Sequence, residues 1–367
     1  MPQTIAIAHA ADYGYTRGVT LGVGRALATS PFVANAFSVY QLPPASVAGT
    51  YAGAVVFIAS QETYDAVRRW NIPVVNVSRS FATPDVPTVT IDSVACGRLA
   101  ADHLISRGHR HFAFVEQPER LFSDERRDGF SDRLAAAGHA LLRMPGPAHV
   151  APHERLQALP RPLGLMCASD HSARPVIHGL NAAGVRVPED VAVVGVDNDE
   201  MVCLLTTTTI SSVDVRAELI GETAAKLLTR HLSTGAPMPP LTLIPPGRVI
   251  VRESSDVSAT DDPLVLRAVA VIKERALAGL NVDQLVDALD SSRRTLERRF
   301  REQLGHSPAQ EIERVRLERA ASLLLDTRLP VDEVAERVGF GNDRRMRRLF
   351  ARRFGQSPAA FREEHRG

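Results

Sequence analysis

The sequence predicts a two-lobed α/β domain followed by an all-α domain. Three observations carry that prediction. Short apolar runs alternate with amphipathic stretches from the N-terminus to about residue 252, a polar segment at 253–263 ends the alternation, and the remainder holds a helical pattern repeated at a spacing of about fifty residues. At 367 residues, with 44% hydrophobic and 23% charged residues, the chain has the material for two or three separate cores.

The apolar runs are Thr4–Ala8, Ala54–Ile58, Val74–Val77, Val89–Ile91, Phe112–Val115, Leu163–Cys167 and Val191–Val196. Helix-like segments lie between them, among them Ser93–Arg107, Asp124–Ala137, Ser172–Ala183 and Ala217–Leu232. This is the pattern of βαβ units and mostly parallel sheets, and seven runs suit two lobes better than one. The first residues, MPQTIAIAHAADYGYTRG, have no basic leader and only a short apolar run, so they read as a strand rather than a signal peptide or a span. Cys96, Cys167 and Cys203 are odd in number and far apart, which argues for a reducing compartment. The expected location is the cytoplasm.

Ligands of open α/β sheets bind beyond the carboxyl ends of the strands, so polar residues just after each run are the candidates. Asp12, Tyr13 and Tyr15 follow the first run, Asp124, Glu125, Arg126 and Arg127 follow FAFVEQ, Ser169 and Asp170 follow GLMCA, and Asp197, Asn198 and Asp199 follow VAVVGV. Carboxylates, an arginine and aromatic rings on one cleft suit a neutral polyol, whose hydroxyls both donate and accept. A sugar is the expected ligand, although any one such Asp or Ser also serves as a helix cap. GVTLGVG at 18–24 has the wrong glycine spacing for a dinucleotide loop and reads as close helix packing. His109 and His111 lack a third ligand and are expected at the surface. Adjacent Ser169, Asp170 and His171 do not form a nucleophile elbow, and Trp70 reads as packing. No catalytic residue, metal or cofactor is expected.

Residues 253–263, ESSDVSATDDP, form the expected linker. Beyond it the charge turns basic, with 21 Lys and Arg against 17 Asp and Glu over 262–367 and 22 against 25 before it. LERRFREQLGHSPAQEI (296–312) aligns without a gap on MRRLFARRFGQSPAAFR (346–362), and VDQLVDAL (282–289) aligns on VDEVAERV (331–338) one residue out of step. Each copy is a helix, a tight turn and a second helix, at about 282–304 and 331–354. In the first, Ser292 caps the second helix and Leu296, Phe300 and Leu304 fall on one stripe. Arg293, Arg294, Glu297 and Arg298 face the other way. In the second copy Met346, Phe350 and Phe354 form the stripe, leaving Asp343, Arg344, Arg345, Arg347 and Arg348 near the helix start. Arginines so placed can pair with phosphates or bond bidentately to guanine, and the expected partner is double-stranded DNA.

Residues 264–365 resemble the AraC-type DNA-binding domain, with a long helix at about Pro308–Asp326 joining two helix-turn-helix units. That resemblance implies DNA contacts from Arg293, Arg294, Glu297 and Arg298 in the first unit and from Asp343, Arg344, Arg345 and Arg348 in the second. Two positions depart from the family's pattern: Asp290 stands where the first turn usually has Gly, and Val286 where a small residue is usual. Residues 87–252 resemble the effector domain of LacI-type regulators, which has the type I periplasmic-binding-protein fold. The matching stretches are VTIDSVACGRLAADHLISRGHRHFAFV, ERRDGF and LMCASDHSARPVIHGLNAAGVRVPEDVAVVGVDNDE, and YTRGVTLGV fits the first helix. The resemblance implies sugar contacts from Arg126, Asp170 and Asp197, and Tyr15 is the first-lobe candidate from its place just after the first strand.

The order, sensor (1–252) before DNA-binding domain, is that of the xylose operon regulators, which the whole chain resembles. The implied function is transcription regulation by xylose or a related pentose, with a homodimer on operator DNA and RNA polymerase as a further candidate partner. The alternatives are another monosaccharide or a non-sugar effector, and, from other classes, a solute-binding or a sugar-processing protein. No acid and base pair that could flank a reacting bond supports an enzyme.

Overall fold

The computed structural model describes residues 3–142, 144, 152–260 and 262–366. Asp261 of the expected linker lies outside the described residues. The chain divides into two compact units, Met1–Ile105 with Arg110–Val257, and Ser258–Gly367 with Ser106–His109.

The first unit holds two sheets. Its strands are β1 (Gln3–His9), β2 (Phe32–Ser38), β3 (Gly53–Val56), β4 (Val74–Asn76), β5 (Thr88–Ile91), β6 (His111–Val115), β7 (Leu163–Cys167), β8 (Val191–Val196), β9 (Ser211–Val213), β10 (Leu241–Ile244) and β11 (Val249–Ile250). The helices are α1 (Gly14–Leu27), α2 (Ala45–Ala48), α3 (Gln61–Arg68), α4 (Ser93–Ser106), α5 (Leu121–Ala136), α6 (Pro152–Leu156), α7 (Asp170–Ala182), α8 (Glu200–Leu204) and α9 (Ala217–Thr234). One lobe is built on the sheet β10-β5-β4-β3-β1-β2 and the other on β11-β9-β8-β7-β6. Every neighbouring pair is parallel except β11 with β9. The chain therefore passes between lobes three times, after β5, after β9 and after β10.

Strands β3, β7 and β8 are buried along their whole length, as central strands of parallel sheets covered by helices must be. All seven apolar runs became strands. Four strands were not anticipated: β2, β9, β10 and β11. At β2, FVANAFS, only Phe32 is fully buried, so an exposed edge leaves no continuous apolar run to read. The glycines of GVTLGVG do pack helices. A Cβ on Gly22 would lie 1.9 Å from the Glu218 carbonyl oxygen, and one on Gly221, in α9, 2.0 Å from that of Val19. Trp70 is buried as expected. His109 is not at the surface: it is 1% exposed.

The second unit is helical. It comprises α10 (Pro263–Arg275), α11 (Val282–Leu289), α12 (Arg293–Leu304), α13 (Pro308–Asp326), α14 (Val331–Arg337), α15 (Asp343–Phe354) and α16 (Pro358–Arg366). The linker is shorter than 253–263 suggested. Glu253–Ser255 is a 3-10 turn whose Ser254 hydroxyl donates to the Val193 carbonyl, and Asp262 already caps α10 through the Leu264 and Val265 amides. The repeat gives two small cores: Leu285, Leu296, Phe300 and Leu304 pack with α10, while Val334, Met346, Phe350 and Leu324 form the other. Helix α13 serves both, through Ile312 in the first core and Leu317–Leu324 in the second.

Buried charge holds α13 in place. The Arg316 guanidinium donates to the Ala276 and Leu280 carbonyls at 2.8 and 2.7 Å. Arg314 pairs with Glu311 at 2.6 Å and Glu318 at 2.7 Å. Burial pushes the Glu311 carboxyl up, but bonds from Arg314 and His306 override it and hold the group well below the usual carboxylate range.

Candidate functional site

The two sheets direct their carboxyl ends at a cleft of about 750 Å³. Tyr13 and Tyr15 reach it after β1, Phe57 after β3, Ser78 after β4, Gln117 after β6, Ser169 and His171 after β7, and Asp197 and Asp199 after β8. Arg126, one turn into α5, enters from below. The cleft is thus a product of topology, because each strand of a parallel sheet delivers its following loop to the same edge.

Arg126 is 4% exposed and organises one wall. One of its terminal nitrogens donates to the Ala168 carbonyl and the other to Asp197 Oδ1 at 3.3 Å, and its guanidinium lies 4.7 Å from the centre of the Phe122 ring. Burial raises the Asp197 carboxyl above its ordinary value, and the charge of Arg126 opposes that rise. Asp197 also has φ of 113°, outside the usual range for a side-chain-bearing residue, so its backbone is held in a costly conformation at the cleft. Among the described residues, Arg126 Nε and Gln117 Oε1 are buried atoms of lining residues with no hydrogen-bond partner, while His171 Nε2 lies 3.7 Å from Asp199 Oδ2. The Tyr15 hydroxyl is already engaged with the Val77 carbonyl at 2.7 Å. Its ring, 6.2 Å from Phe57 centre to centre, contributes an apolar face instead.

Asp170 is not part of the lining. It is fully buried, and its Oδ2 accepts the Asp199 amide at 2.9 Å. Strand position and the family resemblance both placed it beside the ligand, but it starts α7 with its carboxyl turned under the loop, where Oδ1 would sit 2.1 Å from a Cβ on Gly195. Asp199 does face the cleft. Its carboxylate accepts the Gly14 amide at 2.7 Å and the Arg17 guanidinium at 3.0 Å, joining the second lobe to the start of α1 in the first. Gly14 is required there, since a Cβ would lie 2.5 Å from the carboxyl carbon.

The second candidate surface is on α12 and α15. Each follows a tight turn: Asp290, at φ 48°, stops α11, and Gly339 and Gly341, at 77° and 62°, shape the longer second turn. Ser292 and Asn342 cap the helices through the Thr295 and Arg344 amides. Leu296, Phe300, Leu304, Met346 and Phe350 point inward, as the stripes required. Phe354 is half-buried. Arg293, Arg294, Arg298, Arg344, Arg345 and Arg348 are exposed, with Glu297 and Asp343 half-buried among them.

These side chains differ in their engagement. Arg293 pairs with Asp283 and Glu297, and Arg298 with Glu302. Arg345 reaches Glu313 on α13 at 2.9 Å, and Asp343 accepts Arg347 at 3.0 Å. Among the described residues Arg294, Arg344 and Arg348 have no ion pair. Exposed pairs of this kind are weak and exchange readily for phosphate.

Of the four expected sugar contacts, Tyr15, Arg126 and Asp197 meet in the cleft and Asp170 does not. His171, Gln117 and Phe122 were not singled out as ligand contacts. His171 was weighed only as a catalytic base, and Phe122 stands in the first turn of α5, where no apolar run marks it.

Residues 101–255 match the family described as periplasmic binding protein-like domain, and residues 285–364 match the family described as helix-turn-helix domain. The chain is 30% identical over 328 residues to the xylose operon regulatory protein of Escherichia coli K12, an alignment covering 85% of this chain and 83% of that protein. It is 28% identical over 382 residues to the xylose operon regulatory protein of Haemophilus influenzae, covering 98% and 97%. Among solved structures, that of the xylose-binding transcription activator xylR superposes with a TM-score of 0.61 at 29% identity, covering 99% of this chain and 98% of the other.

Proposed function

Because the chain belongs to the family of xylose operon regulatory proteins, we propose that it is a cytoplasmic transcription regulator that binds xylose or a related pentose between its lobes. Operator DNA is bound by α12 and α15, whose arginines enter successive segments of the major groove. Two chains pair on the operator, and RNA polymerase is the partner through which an activating member of the family would act.

The observation that carries the sugar reading is the wall built by Arg126 and Asp197, with Arg126 Nε and Gln117 Oε1 lacking hydrogen bonds and His171 beside Asp199. A pentose hydroxyl accepts from Arg126 Nε and donates to Asp197, and the apolar ring face rests on Tyr15 and Phe57. No reaction is required of this site. Sugar controls DNA binding by favouring one arrangement of the lobes, and its leverage equals its difference in affinity for the two arrangements. Tyr15, Arg126 and Asp197 are assigned to the sugar, and Arg293, Arg294, Glu297, Arg298, Asp343, Arg344, Arg345 and Arg348 to the DNA face.

A thermal-shift screen of the full chain with pentoses and hexoses tests the reading. At a hundred times its dissociation constant a ligand stabilises the folded state by about 2.7 kcal/mol. Xylose or a close relative is expected to give the largest shift. No shift with any sugar in the panel would remove the sugar from the account.

A further inference from the structure

The cleft is larger than one sugar needs. A pentose has about ten heavy atoms and fills on the order of 150 Å³ at the density of a protein interior. The cleft encloses about 750 Å³. The surplus is not lined by the buried wall already described. It is lined by first-lobe residues, exposed Tyr40 and half-buried Leu42 just after β2, and exposed Glu62 and half-buried Thr63 and Ala66 on α3, with exposed Arg69 at its C-cap.

This outer arm repeats the chemistry of the inner one. Tyr40 is 68% exposed, so its ring is accessible to a ligand in the cleft. Glu62 and Arg69, which line the same cleft, supply an acceptor and a donor set. Neither has an ion pair among the described residues. An aromatic face with a carboxylate and a guanidinium is the set that Tyr15, Asp197 and Arg126 offer inside, and it suits a second polyol ring rather than an apolar or a polyanionic group.

We propose that the cleft takes a β-linked pentose disaccharide, with one ring held by Arg126 and Asp197 and the second stacked on Tyr40 between Glu62 and Arg69. The proposal rests on the sugar reading of the inner site and adds the class of effector. Short oligosaccharides released by cleavage of a pentose polymer are then sensed directly, before they are reduced to single sugars.

Calorimetric titration of the full-length protein with xylose and with β-1,4-linked xylobiose tests it, on the wild type and on Tyr40→Ala and Arg69→Ala. Both positions are at the surface, so the variants should fold. Xylobiose is expected to bind at least about tenfold more tightly than xylose, and either substitution to remove most of that advantage while leaving xylose within about twofold. Xylobiose binding no more tightly than xylose, or an advantage that survives both substitutions, would overturn the proposal and leave the inner site standing. Failure of both sugars to bind would overturn the inner site as well.

Discussion

Two buried charged residues, Arg126 and Asp170, came from the same kind of sequence position and have different roles. Arg126 lies beside Asp197 at the cleft, so under the proposed sugar reading Arg126→Ala removes a charged bond to the ligand and leaves half-buried Asp197 without its partner. Xylose affinity measured by calorimetry should fall by about 10–100-fold, the scale of a charge-assisted hydrogen bond. Asp170 acts under the cleft. Burial, with the Asp197 charge adding to it, pushes its carboxyl up to about 7. The folded protein then holds a proton that the unfolded chain releases near pH 4, so this contribution to stability is complete below about pH 4 and is lost as pH rises through about 7. Denaturant titrations should show the wild type losing stability relative to Asp170→Asn across that window. A difference that does not vary with pH would mean that Asp170 is ionised throughout. Tyr15, Arg126 and Asp197 were legible because loops after strands converge, whereas the direction in which Asp170 turns depends on the space that Gly195 leaves, which no spacing in the chain reveals.

Helices α1 and α9 meet backbone to backbone, and glycine makes that possible. Replacing a mid-helix glycine by alanine ordinarily stabilises by about 0.5–1 kcal/mol. At Gly22 the new methyl would stand 1.9 Å from a carbonyl oxygen, and the overpacking penalty of at least about 1–3 kcal/mol wins. At Gly24 nothing lies within 4 Å, so the ordinary gain should appear. Melting temperatures of Gly22→Ala and Gly24→Ala should therefore move in opposite directions. The helix-turn-helix units carry the matching prediction for DNA. Arg348→Ala should weaken operator binding by about 1–3 kcal/mol if its guanidinium reads a base, and Arg345→Ala should cost less because Glu313 already holds that side chain. Fluorescence anisotropy with labelled operator measures both, and equal losses would place Arg345 on the DNA with Arg348. The two helix pairs were readable from the repeat, since matched stripes and caps recur fifty residues apart. Strands β2 and β10 were not, because edge strands with one exposed face carry no apolar run.

At the scale of the whole chain, a two-lobed sensor precedes a helical DNA-binding unit, and the boundary at Val257–Ser258 falls inside the polar segment that marked it in the sequence. The chain crosses between lobes three times, and Asp199 ties the second lobe to the first helix of the other through Gly14 and Arg17. A sugar proposed to bridge Arg126 and the first-lobe rings would regulate only through its difference in affinity for two lobe arrangements. The domain order was legible from where strand patterns stop. The tie was not, because it joins residues 185 positions apart. The most direct test of sugar control is operator affinity of the wild type and of Arg126→Ala, each with and without saturating xylose. The account predicts a change of about 5–150-fold in the wild type, the usual range of allosteric coupling, and none in the variant, with the two proteins equal when sugar is absent. An operator affinity indifferent to xylose in the wild type, or a response that persists undiminished in Arg126→Ala, would contradict it.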